Sequence, residues 1–563
     1  MQGLVALMVA ALAAGVASAD VAGRVYFDAN RNGRADDGEP GVAGTSVSDG
    51  IRVVATDAEG RYRLASAEAS PLVWICVPRD RAASGPFWQT ASSGRADFGL
   101  VERPQTDDFL FAQISDTHVG RADLVRRLGA HAAELRVPPA FVVNTGDLVA
   151  GVDTAEPDKA RPQYDRYLEA TAAFPVPLFN LPGNHEHVST SLPKPNAAHP
   201  LYGKGLYRSV FGPTYYAWDW AGVHAVALDG TSLPYQERLG TNQLAWLAAD
   251  LALQPAEKPL LLFCHQPVYA LKDAKELAMA LQGRRVLGAF CGHLHQTFSS
   301  PFAGFPVYLT GAASGSWWSG PNIDGTPQGF RLVRVKAGAL KTVYASREGD
   351  TPLAAVAPLA SAVQTNDFVV TVSVVDFGRP VALSATFDGR PVVFAQSSRE
   401  ELWSYWQGAV GLAAACDGDR VLHVEARQGE SVSTNEIRYL VATGRQQPYR
   451  AAAPAALRMQ VRGVSVSGAV TFNGQPLGAI PAGTTNEATL SFPVSPDQLR
   501  KLNRVVVGVA GAARGKPPIS VGPVWIDYRG KKIHDLRYAS FERHLVGGGD
   551  PHRASKELYY CLP

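Results

Sequence analysis

"FCGHLHQT" (Phe290–Thr297) closes an apolar run with a Cys-Gly step and then sets two histidines one residue apart. Taken alone it reads equally well as turn chemistry with two histidines placed by chance. Other strand ends decide the matter. "QISDTHVG" puts Asp116 and His118 directly after one apolar run, and "VVNTGDLV" puts Asp147 after another. "FNLPGNHEH" places Asn184 and His185 after a third run, and "LLLFCHQP" places His265 after a fourth. The strands expected here are Phe109–Ile114, Phe141–Thr145, Pro177–Leu181, Val223–Leu228, Leu260–Cys264, Val286–Cys291 and Pro306–Leu309. Helical patterns fit Arg121–Arg136, Arg161–Phe174, Asn242–Leu253 with Thr241 as N-cap, and Ala274–Gln282. Apolar runs alternating with helices indicate α/β layering. In an open α/β sheet the carboxyl ends of the strands share one rim, where ligands bind.

The residue types at that rim fit one purpose. Carboxylate, imidazole and amide are ligands for a divalent transition metal, and no thiolate takes part. The donors exceed what one tetrahedral ion needs, and an aspartate can bridge two ions. Two metals about 3.5–4 Å apart with a hydroxide between them suit in-line displacement at phosphorus. Gly146, Gly183 and Gly292 precede ligand residues and are expected to let the backbone turn tightly.

Asp116-Thr117-His118, Gly146-Asp147, Gly183-Asn184-His185-Glu186, His265 and Gly292-His293-Leu294-His295 stand in an order that resembles the calcineurin-like metallophosphoesterase superfamily. The resemblance implies a four-layer core, a β-sandwich flanked by helices, within an α/β (α+β) fold. It assigns Asp116, His118 and His295 to one ion and Asn184, His265 and His293 to a second, with Asp147 bridging. His185 would contact phosphate and protonate the leaving oxygen. The ions would be Mn, Fe or Zn. Purple acid phosphatases follow the Gly-Asp block with a tyrosine ligand, whereas Leu148-Val149-Ala150 stand here, which argues against a ferric–tyrosinate site. His187 is extra, read as a substrate contact or, by preference, a solvent-facing loop histidine. Trp317 and Trp318 in "GAASGSWWSG" offer an aromatic wall for a leaving group or packing for a neighbouring domain. The architecture is also similar to exported bacterial phosphoesterases with a small β-domain before the catalytic part and a β-rich C-terminal region.

Outside this core the chain reads as all-β. Residues 1–19 form an apolar stretch ending in Ala17-Ser18-Ala19, which reads as a signal peptide and places the mature protein in the periplasm or outside the cell. Residues 20–104 carry short strands and a β-sandwich is expected. There, "FDANRNGRADDGE" sets Asp28, Asn30, Asn32, Asp36 and Glu39 at calcium-loop spacing, similar to the calcium repeats of bacterial surface adhesins. An Asx-rich turn needing no ion is the other reading. Residues 105–350 are the catalytic domain. Residues 351–563 read as two β-sandwiches split near 445–458, with hairpin dipeptides at Asp388-Gly389 and Asn473-Gly474. Net charge is +2, from 53 basic and 51 acidic residues with no long basic run, so nucleic acid is not an expected partner. The expected substrate is a phosphoester, small or macromolecular. No segment of the mature chain is apolar enough to span a bilayer. Five cysteines leave the pairing open. From another class, the chain reads as a catalytically inactive surface module that binds glycan or protein on the same fold.

Overall fold

The computed structural model describes the chain except residues 1–19, 66–71, 91–93, 120–136, 173, 233–235, 347–350, 360–361, 414, 416, 447–448, 510–517, 538–543 and 547–553, and the side chain of Trp317. The stretch read as a signal peptide and the helix expected over 121–136 lie outside the described residues. Contacts divide the chain into two units, Met1–Ser314 with Gln328–Arg347, and Gly315–Pro327 with Glu348–Pro563.

The expected strands of the first unit form, but they divide between two mixed sheets instead of lying in one open sheet. Leu178–Asn180, Val142–Asn144 and Asp108–Ile114 are parallel neighbours, and Gly329–Lys336 and Ala339–Ser346 extend this sheet. The second sheet runs Tyr216–Trp220, Val223–Leu228, Leu260–Cys264, Val286–Cys291, Phe305–Leu309, Phe298–Phe302, parallel inside and antiparallel at both edges.

The period of two explains why continuous apolar runs make this arrangement. In Leu260–Cys264, Leu261 and Phe263 face the core shared with the other sheet. Leu260, Leu262 and Cys264 face the opposite way, toward Trp246, Leu247 and Leu251 of helix Thr241–Ala252. Between the sheets Phe111 stacks on Phe141 with centroids 5.0 Å apart and meets Phe290 edge-on at 5.5 Å. Helix Pro157–Thr171 contributes Tyr164 and Tyr167 to a separate cluster with Leu148, Val149, Leu206 and Tyr207. It starts earlier than periodicity indicates because Pro157 sits in its first turn, where a missing N–H costs nothing. Thr241 does not cap its helix: it is the first helical residue, and Gly240 at φ 84° takes the cap position.

Ahead of the catalytic sheets lie two four-stranded sheets. Val21–Phe27 is central in one and Ser46–Ser48 in the other, and Val25, Val47, Val73, Ile75 and Phe98 form their shared core. In the second unit two pairs of sheets each enclose a core, one around Val372, Leu422 and Tyr439, the other around Leu457, Val505 and Ile526. Both expected hairpin turns form with left-handed backbone: φ is 48° and 75° at Asp388-Gly389, and 51° and 82° at Asn473-Gly474. Among the described cysteines, Cys76, Cys264, Cys291 and Cys561 are free thiols.

One buried polar group ties the second sheet to its covering helix. His224 holds Asp219 and Asp250 at 2.8 Å from its two ring nitrogens, and Lys258 reaches the same Asp219 oxygen at 2.8 Å. Burial alone would lower the pKa of this imidazole. The Asp250 and Asp219 carboxylates outweigh burial and hold it well above the ordinary 6.5. Stability from this group is therefore complete below about pH 6.5 and is lost as pH rises through the folded-state value. His224→Gln leaves buried carboxylates facing each other. It is expected to cost about 3–5 kcal/mol and to flatten the alkaline decline in stability, both read from urea unfolding at several pH values.

Candidate metal centre

The site lies where strand ends from both sheets meet. After Asp108–Ile114 the chain stays alongside the loop that follows Val142–Asn144. Asp116 N–H donates to Gly146 O at 3.0 Å, His118 N–H to Asp147 O at 3.0 Å and Val119 N–H to Leu148 O at 2.9 Å. This ladder runs through left-handed residues, with φ of 53° at Asp116, 37° at His118 and 52° at Asp147. His293 and His295 from the other sheet are left-handed too, at 69° and 50°.

Two of the three glycines act by a different route from the one expected. Only Gly146, at φ 108°, needs glycine for its backbone angle. At Gly183 a Cβ would lie 2.2 Å from Asp147 Oδ1, and at Gly292 one would lie 1.8 Å from Ser115 Oγ. Those two positions admit close approach of neighbouring loops.

The side chains gather in overlapping groups. Donor atoms of Asp116, His118 and His295 lie within 4.8 Å of one another, as do those of Asp147, His265 and His293, and those of His118, Asp147 and His185. Asp147 thus sits between the groups. Its Oδ2 is 3.1 Å from His265 Nε2, 3.8 Å from His118 Nε2 and 3.9 Å from His185 Nε2. Asp116 Oδ1 is 3.2 Å from His295 Nε2 and 3.8 Å from His118 Nε2. Asn184 joins through Oδ1, 3.2 Å from His265 Nε2 and 3.3 Å from the Gln266 amide that donates to it.

The electrostatics are those of a cation site. Burial pushes the carboxyl pKa values up, but the surrounding imidazoles, His295 and His265 at Asp116 and His265 at Asp147, hold both well below the usual range. Burial lowers His118 to about 4 against the pull of Asp147 and Asp116. Those two carboxylates raise His265 to about 9 despite its burial. His265 Nδ1 lies 3.0 Å from Thr145 O, the partner that fixes a tautomer with Nε2 free for an ion. Buried carboxylates, imidazoles and one amide, with a ring already oriented from behind, fit a divalent metal.

Two supporting residues carried no role in the sequence reading. Glu186 is buried and accepts N–H groups from Gly183 at 2.5 Å, Leu148 at 2.7 Å, Asp147 at 3.1 Å and Val149 at 3.2 Å. It pins the Gly-Asp loop to the Gly-Asn-His turn. An acid directly after the Asn184-His185 pair was the available signal. Gln113, in a strand whose other buried positions are apolar, donates to Thr145 Oγ1 at 3.0 Å and to Cys291 O at 3.1 Å, tying the two sheets beneath the site. A lone amide in "DFLFAQI" was its signal.

Other expected residues fall elsewhere. His187 is 1% exposed with Nε2 3.3 Å from Thr231 Oγ1, and burial with nearby Lys204 holds its pKa down to about 3. It is neither solvent-facing nor open to substrate, because the short 3₁₀ turn Asn184–Glu186 directs it inward. Trp318 is exposed at φ 66° in the segment grouped with the second unit, and the Trp317 side chain lies outside the described residues. In the N-terminal loop Asp28 accepts N–H from Asn32 at 3.1 Å and Gly33 at 2.8 Å, and Glu39 accepts from Ala29 at 2.9 Å and Asp36 at 3.1 Å. Asp36 takes both Asn30 and Asn32 amides at 2.7 Å, so the loop closes through its own hydrogen bonds.

Comparison with known proteins matches the stretch of chain that carries these residues. Residues 109–297 match the family described as calcineurin-like phosphoesterase, and residues 29–100 match the N terminal of calcineurin-like phosphoesterase. A probable cyclic nucleotide phosphodiesterase of Rhodococcus erythropolis is 28% identical over 269 residues, 42% of this chain and 82% of that protein. A 3',5'-cyclic adenosine monophosphate phosphodiesterase of Escherichia coli K12 is 26% identical over 267 residues, 44% of this chain and 89% of that one. A dimetal phosphatase of Danio rerio aligns with a TM-score of 0.32 and 17% identity, over 43% of this chain and 96% of that one. The chain therefore carries a calcineurin-like phosphoesterase domain behind that family's N-terminal domain, and it is a hydrolase acting on phosphoester bonds.

Proposed function

We propose that this protein is an exported phosphodiesterase that works with two divalent metal ions on a four-layer core. The observation that carries the reading is the pair of donor groups, Asp116/His118/His295 and Asp147/His265/His293, with Asp147 Oδ2 also within 3.9 Å of His118 and His185. In this reading Asp116, His118 and His295 hold one ion, Asn184, His265 and His293 hold the other, and Asp147 spans both. Mn, Fe and Zn all suit these ligands. The ions supply Lewis acidity toward phosphoryl oxygens and lower the pKa of a water to near neutrality.

The chain's own groups do the rest. His185 has its backbone N–H on Asp147 Oδ1 at 2.9 Å, so its main chain is held against the bridging carboxylate, and its ring Nε2 lies 3.9 Å from Asp147 Oδ2. Its side chain is 29% exposed, more than His118 or His265, which suits a group that meets substrate and donates a proton to the leaving oxygen. The relatives named for cyclic nucleotides favour diesters over monoesters as substrates. Export rests on the leader-like composition of residues 1–19. No helix among the described residues is long and apolar enough to cross a membrane.

Purified protein stripped with EDTA and reloaded with Mn²⁺ is expected to hydrolyse bis-p-nitrophenyl phosphate and a cyclic nucleotide faster than p-nitrophenyl phosphate. A metal-loaded protein inert toward all three would favour the binding-module reading. Asp147→Asn should lose bound metal and turnover together. His185→Ala should keep the parent's metal content while turnover drops about 10²–10⁴-fold. Glu186→Gln puts an amide N–H₂ against backbone donors. It is expected to destabilise the fold by about 2 kcal/mol and to weaken metal retention, read by thermal melting and metal analysis.

A further inference from the structure

Glu237 lies outside every motif quoted above, yet its Oε1 is 3.4 Å from His293 Nε2. Its backbone is held from two sides. Gln236–Glu237 pairs with Thr231–Ser232, placing Glu237 opposite Thr231, and Glu237 O accepts the Lys272 N–H at 2.9 Å. Thr231 is fixed in turn: its carbonyl takes the buried Lys204 ammonium at 2.6 Å, and its hydroxyl faces His187 at 3.3 Å. The carboxylate therefore reaches the site from an anchored hairpin.

His293 is the ring that most needs such a partner. Its side chain is 22% exposed, against 3% for Asp147 and none for His265 in the same donor group. Its main chain is set by the N–H bond to Asp116 Oδ2 at 3.1 Å, which leaves ring rotation as the free variable. An imidazole has two nitrogens. With Nε2 turned to Glu237, Nδ1 is the one left for an ion. A carboxylate behind a ligating imidazole fixes its tautomer and orientation and strengthens it as a ligand.

We infer that Glu237 is a positioning residue for the second metal half-site, completing a carboxylate–imidazole–metal relay with His293. The inference rests on the two-metal reading proposed above. It is tested by titrating Mn²⁺ into the metal-stripped full chain by calorimetry, with Glu237→Gln, Glu237→Ala, His293→Ala and the Glu237→Ala/His293→Ala double variant. The parent is expected to bind two ions. Glu237→Ala should weaken only the second, by about 10–100-fold, with metal-free melting temperature unchanged. Glu237→Gln, which keeps a hydrogen-bond acceptor, should fall between. In the His293→Ala background the Glu237 change should add almost nothing, because both residues act through one ring. Two ions in the parent with unaltered second-ion affinity in both Glu237 variants would overturn the inference alone. A full penalty in the absence of His293 would overturn it as well, by showing that the carboxylate acts independently. A parent that binds a single ion would overturn the two-metal reading and this relay with it.

Discussion

Five side chains of the metal centre hang from left-handed backbone: Asp116, His118, Asp147, His293 and His295. For residues bearing a Cβ this conformation costs roughly 1–2 kcal/mol each, so the rim stores several kcal/mol of strain. Such strain persists only where the surroundings over-determine it. Here they do: the two leading loops continue the strand ladder residue by residue beyond the sheet, and the stacked Phe111, Phe141, Phe263 and Phe290 beneath hold the sheets that feed them. The hydrophobic core and the metal centre are in this sense one construction. The first provides the stability that the second spends.

The same rim concentrates charge in a dry place. Isolated buried carboxylates would take up protons, yet Asp116 and Asp147 stay ionised because imidazoles crowd them. Behind them a ring of backbone amides converges on Glu186, and Thr145 and Gln113 brace the ring and the strand ends. His265, Asn184, Asp147 and Asp116 thus each have a further partner that helps set their direction. A cation held there would take the place of hydrogen bonding among the donors, and the bonds from Thr145, Gln266 and Glu186 lie outside that exchange.

Sequence carried much of this. Val223–Leu228, Leu260–Cys264 and Val286–Cys291 lie where apolar runs put them, because strands buried on both faces read as near-continuous apolar sequence, interrupted here only by His224. Asp-Gly and Asn-Gly marked their hairpins because few other dipeptides tolerate two left-handed angles in succession. The division into two sheets was not legible from the runs themselves, since a strand buried on both faces looks the same against a helix or against another sheet. Gly329–Lys336, "GFRLVRVK", was missed: its two arginines break the apolar run, but Arg331 is buried against Thr310 and the Leu309 carbonyl. His187 was misjudged because polarity alone does not reveal which way a short turn directs a side chain. Glu237 had no local signal, for its contact depends on a hairpin docking 56 residues away in sequence, the interval from 237 to 293.

The donor set straddles the interface between the two sheets. Asp116, His118, Asp147 and Asn184 follow strands of one, whereas His265, His293 and His295 follow strands of the other. Any slip of one sheet across the other would pull the groups apart before it disturbed the hydrocarbon interior. Ions held by both sets of donors would act as rivets through the two plates, coupling occupancy of the site to resistance of the sandwich to shear.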